Sequence, residues 1–114
     1  MVEIIAVLVI LAILTAVAVP RYFDLAATAK QKALDSAMAE GMAVCNLAYA
    51  KESMKAAGVP ALANVVSAAA ASPIGGDFTV TFAASGAAAI QVTASGKAGT
   101  SVAGVTTNKL WNMP

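Results

Sequence analysis

The sequence predicts an α+β fold in which one long N-terminal helix packs on a small antiparallel sheet. Three observations carry that expectation. The chain opens on an almost unbroken aliphatic run, from Ile4 to Val19. Apolar residues then recur at helical spacing as far as Gly58 and Pro60. Beyond Asp77 the pattern changes to strict alternation, with turn residues between short segments. At 114 residues the chain is one domain by length. Three regions are expected within it: an apolar helix over 1–20, its amphipathic continuation over 21–58, and a small head over 59–114.

Composition narrows the function classes. The chain is 60% hydrophobic and only 11% charged, with a net charge of +1. A soluble domain carries about 25% charged residues, so part of this surface must face lipid or other protein. The few charges are spread along the chain without a basic stripe, and nucleic acid is not expected as a partner.

The first element reads as a helix that is hydrophobic all round. Ile4, Ile5, Val7, Leu8, Val9, Ile10, Leu11, Ile13, Leu14, Val17 and Val19 leave no polar face, and Thr15 is the one polar interruption. Such a helix belongs in a bilayer or inside a bundle. Over Met1–Val19 it would be about 28 Å long at about 1.5 Å per residue, close to a hydrocarbon core of about 30 Å. Three readings fit it. A cleaved secretory signal agrees with the small residues Ala16-Val17-Ala18, but would need a basic segment ahead of the apolar core, where Glu3 stands instead. A plain membrane anchor tolerates Glu3 if its carboxylate snorkels to the interface; at mid-bilayer an acid costs about 2.5–3.5 kcal/mol. A self-assembling helix makes use of Glu3. A carboxylate near a helix start is favoured by the macrodipole, and the α-amino group of an axially offset neighbour could supply its cation. Slipping that register would strand two buried charges.

From Arg21 to Ala57 the helix is expected to continue. Leu34, Met38, Met42, Cys45 and Tyr49 recur at steps of four, four, three and four, one apolar stripe suited to packing on a sheet. Asp24, Lys30, Lys32, Asp35, Glu40, Lys51, Glu52 and Lys55 lie on the other faces and read as solvated. Tyr22 and Phe23 fall where an interfacial aromatic belt is expected. Gly41 marks either a close approach of another chain or nothing. Gly58 followed by Pro60 predicts the helix stop, with glycine in the left-handed cap.

In the head, Pro60–Ala71 reads as a short second helix and Ser72-Pro73-Ile74-Gly75-Gly76 as a turn. Asp77–Ala83 alternates, placing Phe78, Val80 and Phe82 on one face of a strand. Ala88–Ala94, with Ile90 and Val92, gives a second strand, and a third is expected within Thr100–Trp111.

Taken in order, Met1-Val2-Glu3-Ile4-Ile5-Ala6-Val7-Leu8-Val9-Ile10-Leu11-Ala12-Ile13-Leu14-Thr15-Ala16-Val17-Ala18-Val19-Pro20-Arg21-Tyr22 is similar to the N-terminal helix of mature type IV pilins and pseudopilins. Glu3 stands seventeen residues ahead of Pro20, which is the family's spacing, and Asp24 follows where pilins often place an acid. The match covers about the first twenty-five residues. It implies a pilin-like fold and a structural filament subunit, with adhesion or motility as roles. The aliphatic residues would form the filament core, Glu3 would pair with a neighbour's N-terminal amine, and Pro20 would break or kink the helix. It also implies a basic leader ending in glycine, removed by an inner-membrane prepilin peptidase that methylates the new terminus, with two further residues ahead of the position matching Met1. Without that leader, Arg21, Lys30 and Lys32 would draw the C-terminal part into the cytoplasm. Many pilins carry glycine where Ala12 stands, so stretching of the helix should be short or fall at Pro20 alone.

The implied localisation is the inner membrane before assembly and the cell surface afterwards. An assembly ATPase is the implied partner, because extraction exchanges lipid for other apolar helices at little net gain. Alternatives are a secretion pseudopilin or minor pilin and, outside the family, a monomeric single-span protein presenting a binding head.

No enzyme is expected. The chain has no histidine, no pair of acids close in sequence, and Gly75-Gly76 without a phosphate-loop context, so no catalytic, cofactor or metal site is expected. Asp77 alone does not make the acidic calcium loop of major pseudopilins. Cys45 is the single cysteine, which rules out an intrachain disulfide, and its place on the stripe predicts a buried, unreactive thiol.

Overall fold

The computed structural model describes residues 1–72 and 74–114. Helix α1 runs from Val2 to Ala56 and sets the length of the molecule, which extends 83 × 22 × 19 Å. A short helix α2 (Leu62–Ala70) and strands β1 (Phe78–Ala84), β2 (Ala89–Gly96) and β3 (Thr106–Asn112) complete the head. The fold is α+β and pilin-like in shape.

Helix α1 runs through Pro20 without interruption, so of the expected break or kink the break is not present. The proline ring removes one backbone donor, which leaves the Ala16 carbonyl without its partner four residues on. Thr15, the lone hydroxyl in the apolar half, donates to the Leu11 carbonyl at 2.7 Å. Its polarity is thereby met within the helix, as a bilayer demands. The helix stop differs by one residue from expectation. Ala57 takes the left-handed conformation at φ 53°, and Gly58 N–H reaches back to the Ser53 carbonyl at 3.3 Å. The backbone bond, not the glycine, determines which residue turns.

The strands form an antiparallel meander, β1-β2-β3, with Phe82 opposite Val92 and Ile90 opposite Trp111. Strands β1 and β2 each start one residue after their expected starts, β3 lies within the expected 100–111 interval but for Asn112, and α2 is shorter than the expected 60–71 segment. Of the expected turn at 72–76, Pro73 lies outside the described residues.

The core gathers Leu34, Ala37, Met38, Cys45 and Ala48 from α1, Val65 and Ala69 from α2, Ile90, Val92 and Ala94 from β2, and Trp111 from β3. The apolar stripe of α1 is thus rotated from its expected line. Leu34, Met38 and Cys45 are buried, whereas Met42 and Tyr49 are half-buried at its margin. The centre has moved by roughly 40° toward Ala37, Gly41 and Ala48 at about 3.6 residues per turn. Small residues let the sheet come close, and they define the contact line.

Gly41 shows how close. A Cβ there would lie 2.8 Å from Val92 Cγ1 and 3.0 Å from Val80 Cγ1. The close approach is made by the chain's own sheet, not by another chain. Gly41→Ala is therefore expected to destabilise the head by up to about 2 kcal/mol. An overlap of about 1–3 kcal/mol against stiff valines outweighs roughly 1 kcal/mol of helix propensity. The urea midpoint of Trp111 fluorescence in the detergent-solubilised chain measures it.

At the end of β2 the chain turns sharply. Gly96 N–H donates to the Val105 carbonyl at 2.9 Å, and the position a Cβ would occupy on Gly96 falls on the Val102 carbonyl. In β3, Lys109 sits opposite Val92, on the core-facing side of an edge strand, and remains exposed. The other edge strand, β1, has α2 packed against it.

Candidate assembly surface

The apolar half of α1 stands clear of the head. Ile4, Ile5, Val7, Leu8, Val9, Ile10, Leu11, Ile13, Leu14 and Val17 are all exposed, from 53% at Leu11 to 66% at Ile4. Ten such side chains in one column cannot remain in water: a fully buried aliphatic contributes about 1.5–3 kcal/mol relative to an exposed one. The helix is long and apolar enough to cross a membrane, and none of its apolar window is buried in the head. This half of α1 is suited to membrane association.

Glu3 lies in the first turn of α1, where the exposed N–H groups favour a carboxylate. Its Oε2 is 3.2 Å from the α-amino nitrogen of Met1 in the same chain, and both groups are fully exposed. Carboxylate and amine thus meet at one end of the apolar column. At the other end, Tyr22 and Phe23 stack edge to face with centroids 6.2 Å apart, and Leu25 beside them is also exposed. From Glu3 to Tyr22 the helix rises about 30 Å. That equals a hydrocarbon core, with a charged group at one boundary and aromatics at the other.

Cys45 is fully buried, and burial pushes its thiol up to about 11, so it stays protonated at neutral pH. Among the described residues no three His, Cys, Asp or Glu side chains come together as a metal site would need. Sequence reasoning missed the bond that closes the head: Trp111 Nε1–H donates to Asn46 Oδ1 at 2.7 Å. Tyr49 packs against the same indole, 6.1 Å between centroids. The residues involved are 65 positions apart, and no local pattern announces such a contact.

No family model, curated protein or solved structure matches the chain.

Proposed function

We propose that this chain is the structural subunit of a type IV pilus-like filament, polymerising through the apolar half of α1. The observation that carries the proposal is the solvent-clear aliphatic column with Glu3 at its start, joined rigidly to a small head. A lipid anchor needs only the column. A helix that packs against copies of itself also benefits from a charge that fixes axial register, and Glu3 is the only charged residue among the first twenty. The resemblance of residues 1–25 to mature pilins points the same way.

In this reading Glu3 exchanges its own Met1 amine, or whatever terminus precedes it, for that of a neighbour. The aliphatic side chains pass from lipid to the filament core, and a membrane-bound peptidase and a cytoplasmic assembly ATPase act on the chain. Electron microscopy of material sheared from cells expressing the chain with its assembly machinery should show long filaments of uniform width. A secretion pseudopilin or minor pilin would give short or sparse filaments, and a monomeric anchor none even when overexpressed.

A further inference from the structure

The β2–β3 loop leans on α1 just beyond the apolar column and leaves a cavity lined by Ala26, Ala29, Lys30, Ala33, Ser101 and Val102. We propose that this cavity holds the headgroup of an anionic phospholipid, an inference that rests on the membrane-spanning reading of α1. Its depth is the first reason. Tyr22, Phe23 and Leu25 extend the apolar surface past Pro20, so the hydrocarbon boundary falls near them. Lys30 lies about 8 Å further along the helix at about 1.5 Å per residue. The headgroup layer is about 5–8 Å thick on each side. The Lys30 stem can therefore lower its ammonium to the phosphates, as long basic side chains do at interfaces.

Chemistry is the second reason. The methyl groups of Ala26, Ala29 and Ala33 and the Val102 side chain form an apolar wall, with Lys30 and Ser101 as its polar groups. Acids occur near this end of the head at Asp24, Asp35 and Asp77, yet none is ion-paired with Lys30. Among the described residues the only ion pairs are Met1–Glu3 and Lys55–Glu52. Asp35 accepts from Gln31 Nε2 at 3.3 Å, and Lys97, the loop's own cation, donates to the Gly76 carbonyl at 2.7 Å. Lys30 is thus left as a free cation on an apolar wall, which suits a diester phosphate attached to an acyl glycerol.

The site is also built in advance. Thr100 Oγ1 and N–H both donate to the Lys97 carbonyl, at 2.7 and 3.3 Å, and Ala103 N–H donates to the Thr100 carbonyl at 3.2 Å. Val102, 7% exposed, pins the loop to the helix. Binding would cost little ordering of the protein.

The test uses the full chain reconstituted into phosphatidylcholine vesicles containing phosphatidylglycerol, then extracted in a neutral detergent. Native mass spectrometry counts the lipids retained. Phosphatidylglycerol should be retained over phosphatidylcholine, and Lys30→Gln should lower that retention about fivefold, matching about 1 kcal/mol per basic side chain at an anionic surface. Lys30→Arg should restore it, Ala29→Leu should block it by filling the cavity, and Lys51→Gln should leave it unchanged. Equal retention of the two lipids, or a Lys30→Gln chain that behaves as wild type, overturns the proposal alone. Displacement of the lipid by inorganic phosphate overturns it in favour of an aqueous anion site. A chain that fails to insert into the vesicles overturns it together with the membrane reading.

Discussion

Glu3→Ala is expected to abolish filaments while leaving the chain in the membrane fraction. In the proposed filament the Glu3 carboxylate meets a neighbour's amine inside the apolar layer. Removing it strands that amine, and an uncompensated buried charge costs about 3–5 kcal/mol. Repeated at every subunit, a penalty of that size leaves essentially no polymer. The sign reverses for a monomeric anchor. There the substitution removes an acid from the edge of the bilayer, relieving part of the about 2.5–3.5 kcal/mol that an acid costs at its centre. The ratio of sheared to membrane-bound chain, read by immunoblot, separates the two. Glu3→Gln should be intermediate, because an amide still accepts a hydrogen bond from the amine but does not neutralise it.

The second large effect is confined to the head. Gly96→Ala should prevent the β2–β3 turn from closing, at a cost of about 3 kcal/mol or more. The obstacle is the Val102 carbonyl, which is backbone and has no alternative rotamer to adopt. If the turn opens, Gly96 N–H loses the Val105 carbonyl, and Val102 leaves its place against α1. Strand β3 then loses its register, and with it the seat of Trp111 beside Asn46 and Tyr49. Limited proteolysis should cut between Gly96 and Thr106, and the Trp111 emission should shift red. The apolar half of α1 touches none of this, so membrane insertion should survive. A chain that keeps a wild-type cleavage pattern would show that the turn has another way to close.

The long helix and the meander were legible because their signals are local. An all-aliphatic run of that length marks a helix, and the alternation of Phe78, Val80 and Phe82 fixes a strand to within a residue. What the sequence concealed depends on contacts between distant segments. The stripe of α1 is drawn most easily through its large residues, yet Ala37, Gly41 and Ala48 are buried alongside Leu34, Met38 and Cys45. At Gly41 the sheet comes close enough to leave no room for a Cβ, and only the sheet's position reveals that. Gly96 looks like an ordinary turn glycine until the Val102 carbonyl is placed against it. Pro20 is the reverse case: a local breaker that the surrounding helix absorbs. For the candidate assembly surface, the residues were evident in the sequence. The cavity beside Lys30 was not, because Ser101 and Val102 of its wall arrive from a loop some seventy residues away.

Lys109 has a bearing on how chains acting as the proposed subunit could be stored. Chains confined to a membrane plane reach high local concentrations while awaiting use, and a bare strand edge would then template cross-β stacking among their heads. An ammonium on the core-facing side of β3 makes each added strand desolvate a charge. With α2 packed against β1 at the opposite side, a crowded pool of heads can stay unjoined. In the proposed filament, association is thereby left to the helices, and the pool of chains is protected from its own density.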